Sequence, residues 1–425
     1  MALDLEAILD LRLHAGIKGV PASAAGVRIG DAGAQGWNLL DGSIPLPAAA
    51  VRSTVLGANL RAFQAYIDQA GARLAPHGKT SMCPQLFDRQ LEAGAWGMTV
   101  ATVAQAFTAL NCGVKRLLIA NELIGAAEIR ALAARHDAAP GVRILSLVDS
   151  IEGVTRLETL LAAAGAVRPF EVLVELGLAG GRAGTRTRDA ALAVARRVAQ
   201  SPQLNLCGVE GYEGLIVTGD AVADAARVDA FLDDLMGVFA TCRDGGLFMG
   251  EPILSAGGSA YFDLVARGLK SDGIVPLLRS GCYLTHDNGF YNRLLAHVGE
   301  RAVLGPAPSL RPALEVWAQV VSHPEPDLII VNAGRRDLSD DAGLPRVEYR
   351  AKPGTGAVPD AVEGWSLFRM NDQHGYIRLP AGTSVAIGDY VGLGISHPCT
   401  TFDRWPVILE VDDAYGVTGA LKTFF

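Results

Sequence analysis

The sequence predicts an α/β protein: a (β/α)8, TIM-like barrel followed by a C-terminal, mostly β domain. Eight short apolar segments rich in β-formers, with helical segments between most of them, follow one another between residues 73 and 283. Continuous apolar strands spaced by helices are typical of a parallel sheet covered by helices, and eight units close into a barrel. After Gly289 short alternating strands are separated by Gly, Pro and Asp, without a strong helix. A chain of 425 residues, half of them apolar, can bury both cores.

The predicted elements succeed one another regularly. A helical run from Leu5 to His14 precedes a Gly- and Pro-rich stretch, and a second helical run, from Val51 to Ala70, ends at Gly71. The barrel strands are predicted at Arg73–Pro76, Gly97–Ala101, Arg116–Ala120, Arg143–Val148, Glu171–Leu176, Leu206–Gly211, Pro252–Ala256 and Leu277–Tyr283. The intervening helices are predicted at Leu86–Ala93, Val103–Asn111, Ala126–Arg135, Gly153–Ala164, Arg188–Ala199 and Ala221–Cys242.

The strands of the second domain are predicted from period-two alternation between turn residues. They lie at Leu314–Val321, Leu328–Val331, Val347–Arg350, Tyr376–Leu379, Ser384–Gly392 and Val407–Val411. We therefore expect an N-terminal extension over residues 1–48 that partly joins the β domain, a barrel over 49–300 and a β domain over 301–425.

Composition excludes several classes of partner. The formal charge of −8 argues against a surface for nucleic acid or anionic membranes, and no apolar run is long enough to span a bilayer. The first residues carry acids where a secretory signal carries Lys or Arg. The six cysteines are scattered without a Cys-x-x-Cys pair, which is typical of reduced thiols in a cytoplasmic enzyme.

Candidate catalytic residues follow the barrel strands, because active sites of such barrels lie at the carboxyl ends of the strands. Lys79 comes just after the first strand, between residues that continue no amphipathic pattern. A lysine in a partly desolvated cleft has a lowered pKa and can form a Schiff base with a carbonyl, although an isolated lysine is more often a surface residue. Arg182 follows the fifth strand, Tyr212 the sixth, and Gly281 and Tyr283 lie in the eighth.

The segment Gly257-Gly258-Ser259, after the seventh strand, suits an oxyanion. Two glycines let the backbone approach the ligand, and Ser259 can cap the next helix while it binds a phosphate. A lysine and a phosphate site at one barrel mouth together describe a site for pyridoxal 5′-phosphate. Arg182 could then pair with the ring phenolate, and Tyr212 could pack on the ring or meet its nitrogen. Considered alone, Arg182 would be interpreted as a surface ion-pair residue and Tyr212 as a residue that fills the barrel rim.

A candidate metal site lies in the β domain. His397 and Cys399 project to one side of a segment if it is extended, so both could bind one ion. Imidazole and thiolate suit zinc and leave positions open for water and substrate, although another divalent ion remains an alternative. A bare His-x-Cys is more often a buried cysteine beside a structural histidine. His374 is a candidate base, and Cys83 and the other thiols are expected in the core.

Six motifs together resemble the D-threonine aldolase and D-serine dehydratase family. The similarity runs in order from about residue 45 to the C-terminus. The motifs are Pro-His-Gly-Lys-Thr at 76–80, Gly-Arg-Ala-Gly at 181–184, Ser-Ala-Gly-Gly-Ser at 255–259, Ala-Gly-Arg-Arg-Asp-Leu-Ser-Asp-Asp-Ala-Gly-Leu-Pro at 333–345, Gln-His-Gly at 373–375 and His-Pro-Cys at 397–399.

The resemblance implies the alanine racemase-like architecture of pyridoxal phosphate fold type III, with a metal on the β domain. It implies that Lys79 is the Schiff-base lysine and that His397 and Cys399 bind the metal. It also implies D-3-hydroxy amino acids as substrates and a homodimer whose sites lie near the interface. Candidates for a contribution from the second subunit are Tyr283, His286 and Asp287.

Within the family the metal pair distinguishes two reactions. The dehydratases carry histidine and cysteine with zinc, whereas the aldolases tend to carry histidine and a carboxylate with manganese or a similar ion. Cys399 therefore makes this chain more similar to the dehydratases, which convert substrates such as D-serine or D-threonine to a 2-oxo acid and ammonia. Tyr212-Glu213-Gly214 departs from the family pattern after the sixth strand, so the substrate side chain stays open.

Three alternatives remain at this stage. An aldolase would use the same parts, with a base such as His374, to release glycine and an aldehyde. A non-catalytic pyridoxal phosphate-binding protein would need no metal pair. A cofactor-free metal hydrolase on a barrel would be colourless, whereas a lysine-bound cofactor makes a protein yellow.

Overall fold

The computed structural model describes residues 2–270 and 273–425 and contains two sheets. The N-terminal stretch has one short α-helix, α1 (Glu6–Leu9), so the predicted helix from Leu5 to His14 is wrong beyond its first turn. The backbone there pairs with a later segment instead, because Leu13 N–H donates to the Val27 carbonyl over 2.8 Å. The apolar side chains of this stretch pack on the second sheet, around Trp317.

Strand β1 (Ala48–Arg52) lies in the second sheet, although its residues fall at the start of the predicted barrel range. It pairs antiparallel with the later strand Leu314–Glu325 and parallel with the later strand Val407–Val411. The chain therefore contributes to the second sheet before it enters the barrel, and it returns to that sheet after the barrel. The domain limits at residues 48 and 300 stay predictions.

The barrel strands match the predicted series in order and type. They are β2 (Arg73–Leu74), β3 (Met98–Val100), β4 (Arg116–Glu122), β5 (Arg143–Val148), β6 (Phe170–Leu176), β7 (Leu204–Gly211), β8 (Ile253–Ala256) and β9 (Val275–Leu278). The helices are α2 (Ser53–Gln69), α3 (Pro84–Glu92), α4 (Val103–Asn111), α5 (Ala126–Ala138), α6 (Ile151–Ala163), α7 (Arg188–Ala199), α8 (Ala221–Asp244), α9 (Phe262–Gly268) and α10 (Phe290–Arg301).

The parallel sheet closes on itself, which confirms the barrel. Its strand order runs β2-β9-β8-β7-β6-β5-β4-β3, and a parallel bridge between His77 and Thr99 joins the two ends. Several helices begin at a side chain that caps their first turn, and these N-caps are Thr102, Ser150, Thr187 and Asp220. The caps follow strand ends, so they help to set the direction of the loops at the barrel mouth.

The eighth barrel strand is shorter than predicted. It ends at Leu278 because its neighbour β2 ends at Leu74, and Ala75 N–H makes the last backbone bond, 2.8 Å, to the Leu278 carbonyl. Residues 279–281 leave the sheet, and Cys282–Leu284 form a 3-10 turn. The side chains that follow this strand therefore take directions that a continued strand would not have given them.

The second sheet is mostly antiparallel. Its strands are β10 (Leu314–Glu325), β11 (Leu328–Val331), β12 (Arg346–Ala351), β13 (Asp360–Ala361), β14 (Ser366–Met370), β15 (Gly375–Arg378), β16 (Tyr390–Gly394), β17 (Val407–Val411) and β18 (Val417–Lys422), and one-turn helix α11 (Cys399–Phe402) follows β16. The strand predicted from Ser384 begins only at Tyr390, because Asp389 accepts from Ala386 N–H and Gly388 has a φ of +98°. In the part of the chain described, no helix is long and apolar enough to cross a membrane.

Candidate active site

A cavity of about 550 Å³ opens where the carboxyl ends of the barrel strands meet the loop between β16 and α11. It brings together most of the residues predicted from the sequence. The predicted residues that line it are Lys79, Arg182, Tyr212, Gly257, Gly258, Ser259, Gly281, His397 and Cys399.

Lys79 reaches the cavity from a 3-10 turn, Gly78–Thr80, directly after β2. A glycine is required before it, because a Cβ on Gly78 would lie 2.8 Å from the Phe87 ring. Burial lowers the pKa of Lys79, and the guanidinium charges of Arg182 and Arg279 act in the same direction. A lowered pKa increases the fraction of neutral amine, the form that attacks a carbonyl or accepts a proton.

Arg182 and Tyr212 form one side of the cavity. The guanidinium carbon of Arg182 lies 4.5 Å from the centre of the Tyr212 ring, a cation–π distance. Burial raises the pKa of Tyr212 to about 12, so its hydroxyl stays protonated at neutral pH. The Tyr212 ring also packs on Gly258, where a Cβ would approach it to 2.8 Å. An aromatic face and a cation thus border the space beside Lys79.

The Gly257-Gly258-Ser259 loop is held from both sides. Gly257 has a φ of +104°, and the Gly258 carbonyl accepts a bond of 2.7 Å from the Ser280 hydroxyl. Gly258 N–H donates to the Glu213 carboxyl over 3.2 Å, so this amide is not directed at a ligand as the sequence suggested. Burial raises the pKa of Glu213, which favours its neutral form beside the loop. The Ser259 hydroxyl accepts from Cys282 N–H over 3.2 Å and borders the cavity.

An unpredicted group of charged residues lies at the barrel end of the cavity, and two of them, Glu175 and Arg279, line it. Arg279 forms an ion pair with Glu210 and donates to the Ser255 hydroxyl and the Gly211 carbonyl, each over 2.9 Å. Burial raises the pKa of the nearby Glu175 to about 9, with the Glu210 charge adding to the effect. The sequence did not predict these residues as part of a site, because they lie in or beside strands of mainly apolar character. A carboxylate within such a strand was the available signal.

The metal-ligand candidates converge in the same cavity, next to the turn that carries Lys79. Cys282, His397 and Cys399 each have a potential ligand atom within 4.8 Å of those of the other two. The two sulfurs are 3.6 Å apart. His397 Nδ1 meets Asp341 Oδ2 at 2.8 Å. Burial alone would lower the pKa of His397, but Cys399 and Asp341 raise it to about 9. Hydrogen bonding from Cys282 and His397 holds the pKa of Cys399 well below its usual value.

The geometry behind this convergence differs from the extended segment that the sequence suggested. Pro398 has helical dihedral angles, and Cys399 begins α11. The expectation that Cys282 is a core thiol is wrong, because its sulfur faces Cys399 at the cavity. Asp341 belongs to the 333–345 motif, but no role was assigned to it from the sequence.

Two predicted site residues do not line the cavity. Tyr283 points into the core, where its ring stacks on Phe63 with centroids 4.2 Å apart and its hydroxyl accepts from Gln90 over 3.0 Å. Tyr283 points into the core because Cys282–Leu284 form a 3-10 turn and do not continue the predicted strand. His374 is exposed in the turn between β14 and β15. His286 and Asp287, candidates for contact with a second subunit, are buried within their own chain.

Family models match both halves of the chain. Residues 51–284 match the model described as "Alanine racemase, N-terminal domain". Residues 313–411 match the model described as "Putative serine dehydratase domain". The first match covers the barrel and Lys79, and the second covers most of the second sheet together with His397 and Cys399.

Similar proteins cover nearly the whole chain. A D-threonine aldolase from Arthrobacter sp. is 27% identical over 364 residues, which are 84% of this chain and 86% of the relative. A D-threo-3-hydroxyaspartate dehydratase from Delftia sp. (strain HT23) is 26% identical over 401 residues, 90% of this chain and 97% of the relative. The crystal structure of D-threonine aldolase from Filomicrobium marinum superposes with a TM-score of 0.75 at 26% identity, covering 91% of this chain and 97% of that one.

Proposed function

Because the chain belongs to the alanine racemase-like, fold type III family of pyridoxal 5′-phosphate lyases, we propose that it is a zinc-dependent dehydratase of D-3-hydroxy amino acids. Its products would be a 2-oxo acid and ammonia. The observation that carries the proposal is that His397 and Cys399 face the same cavity as Lys79. The lysine can then act on the α-carbon of a substrate whose β-hydroxyl points towards the metal ligands.

The cavity fits the cofactor. Lys79 offers an amine with a lowered pKa for a Schiff base, and Ser259 and Gly281 border the side suited to the phosphate. Glycine leaves room there, since a Cβ on Gly281 would lie 2.6 Å from the Thr80 hydroxyl oxygen. Arg182 and Tyr212 supply a cation and an aromatic face for the ring.

The donor set fits zinc. Thiolate and imidazole are the ligands that zinc favours in proteins. Asp341 binds Nδ1 of His397, which fixes the ring and leaves Nε2 as the ligand atom. A catalytic zinc site keeps a position open for water or substrate, and the cavity reaches these ligands.

When bound, the cofactor disperses the negative charge that develops at the substrate's α-carbon, and zinc acts as a Lewis acid towards the leaving hydroxyl. Lys79 is proposed to take the α-proton, a role that its lowered pKa supports. Arg182 and Tyr212 are proposed to hold the ring from one side, so that the α-carbon stays within reach of the lysine amine. His374 is not required in this scheme, since its side chain is exposed outside the cavity.

A specific comparison supports the dehydratase. Solved structures of the D-threo-3-hydroxyaspartate dehydratase include variants in which a histidine and a cysteine two positions apart are replaced by alanine, and the cysteine variant is described in the metal-free form. His397 and Cys399 have the same spacing. The second candidate is a D-threonine aldolase, which the relative from Arthrobacter sp. favours.

Product identification separates the two reactions. With D-threonine, the dehydratase yields 2-oxobutanoate and ammonia, and we expect this activity to disappear with a chelator and return with zinc. Glycine and acetaldehyde would instead establish the aldolase. The same comparison with 3-hydroxy-D-aspartate tests the substrate class, because the dehydratase would yield oxaloacetate and ammonia and the aldolase glycine and glyoxylate.

We further propose a homodimer, as the family resemblance implies. Light scattering of the cofactor-loaded protein should give twice the chain mass. A monomer with full activity would contradict this assignment.

A further inference from the structure

We propose that Cys282 is a third protein ligand of the metal, so that the site is a His-Cys-Cys set with one open position. The inference rests on the metal assignment in the proposed function but adds a residue to it. The Cys282 sulfur lies 3.6 Å from the Cys399 sulfur. Ligand atoms of both cysteines and of His397 lie within 4.8 Å of one another.

The spacing matches a zinc ion between the two sulfurs. Zinc–sulfur bonds of about 2.3 Å in a tetrahedron place two sulfur ligands about 3.8 Å apart. A disulfide would bring the sulfurs to about 2.0 Å. The observed sulfur–sulfur distance of 3.6 Å is therefore too long for a disulfide and close to the distance expected for two ligands of one zinc ion. Two sulfurs in simple contact could lie as close, but here an imidazole joins them on the cavity side.

The backbone holds Cys282 in this position. Its N–H donates to the Ser259 hydroxyl over 3.2 Å, and it begins the turn Cys282–Leu284. The preceding Gly281 packs so closely on Thr80 that a Cβ would come within 2.6 Å of the Thr80 hydroxyl oxygen. Thr80 in turn accepts from the Cys399 sulfur over 3.3 Å. The barrel and the β region thus bring the two cysteines together through one contact network.

A third ligand changes what the metal can do. Two thiolates neutralise a divalent cation, whereas one thiolate and an imidazole leave a positive charge. Sulfur-rich sets select zinc over manganese or magnesium, which prefer oxygen ligands. Three protein ligands and one open position are the usual form of a catalytic zinc site. The enzyme should therefore hold zinc tightly while it leaves one place for the substrate hydroxyl.

X-ray absorption at the zinc edge of the cofactor-loaded enzyme counts the sulfur ligands without depending on activity. We expect two sulfurs at about 2.3 Å in the wild type and one in Cys282→Ser. The sulfur contribution to the spectrum should thus fall by about half. Cys112→Ser is the matched control, because Cys112 is a buried thiol at the end of α4 outside the cavity, and its spectrum should equal that of the wild type.

Two further readouts keep the test decisive if the serine variant folds poorly. Cys282→Ala, checked by circular dichroism and by the cofactor absorbance, should release zinc to a chromophoric chelator more readily than Cys112→Ser does. The X-ray absorption spectrum of the wild type tests the inference without any variant. One sulfur in the wild type would overturn the role of Cys282 while leaving His397 and Cys399 as ligands.

A different failure would overturn both proposals. Suppose that the purified wild type binds no metal and that only four of its six cysteines react with a thiol reagent after unfolding without reductant. Peptide mapping that then places the disulfide between Cys282 and Cys399 would reject both metal assignments. Two sulfurs in Cys282→Ser as in the wild type would also reject the inference, because another sulfur would then be the ligand.

Discussion

Lys79 and Cys399 face the same cavity, but the chain brings them there by different routes. The lysine side consists of Lys79, Arg182, Tyr212 and the loop 257–259, and each of these follows a barrel strand. The metal side consists of Cys282, Asp341, His397 and Cys399, which come from the end of the barrel, from a loop before β12 and from the start of α11. The positions of the lysine-side residues follow from the order of the barrel strands. The positions of the metal-side residues depend on how the two sheets pack against each other.

The two groups of candidate residues therefore have separate structural sources. The barrel strands place Lys79 and most of the other candidate cofactor-binding residues at the cavity. The loop between β16 and α11 brings His397 and Cys399, the proposed metal ligands, to the same cavity. Variants on the two sides should therefore fail in different ways.

The largest effect is expected on the lysine side. Lys79→Ala should abolish the absorbance of the lysine-bound cofactor and lower kcat by at least roughly 10²- to 10⁴-fold, because the proton acceptor is lost. The spectrum and the product assay measure both losses. Lys115→Ala, which changes an exposed lysine, should keep both. A Lys79 variant that retains the lysine-bound absorbance would show that another lysine is the attachment site.

The metal side should fail without losing the cofactor spectrum. His397→Ala or Cys399→Ala should remove zinc and most of the dehydratase activity while leaving the absorbance of the cofactor on Lys79. Metal content and product formation are measured on the same preparations. His374→Ala is the matched histidine control and should keep kcat/KM near the wild-type value, because its side chain is exposed outside the cavity. Loss of activity in this control would return His374 to the catalytic set.

Asp341→Asn should give an intermediate effect. The carboxylate that binds His397 Nδ1 at 2.8 Å orients the ring, and removal of such partners typically costs 10–100-fold in metal affinity. Competition with a chelator measures the change. At saturating zinc the activity should largely return, which would distinguish a positioning residue from a ligand. No recovery at any zinc concentration would contradict that role.

The smallest effect concerns stability and pH. The pKa of Glu175 is raised to about 9 in the folded protein, so its neutral form is stabilised by folding. This contribution is complete below the unfolded pKa near 4.5 and is lost as the pH rises towards 9. Glu175→Gln should therefore gain stability relative to the wild type as the pH rises through this window. Urea unfolding at several pH values measures it, with the exposed Glu152→Gln as a control that should show no such trend.

Much of the fold could be read from local patterns. The barrel strands follow the predicted order because continuous apolar segments that alternate with helices are typical of a parallel sheet covered by helices. The failures lie at ends and termini. The eighth strand stops at Leu278 because its neighbour does, and the predicted N-terminal helix yields to pairing with a distant segment. Neither partner is visible in a local window of sequence.

The sequence by itself determined the barrel, the lysine after its first strand and the His-x-Cys pair, because each depends on residues close together in the chain. Only the tertiary structure decided that Cys282 joins that pair, that Asp341 orients His397, and that Tyr283 turns into the core. Ligand geometry depends on distances between atoms from separate elements. Those distances arise from the packing of the barrel against the second sheet, which no local pattern encodes.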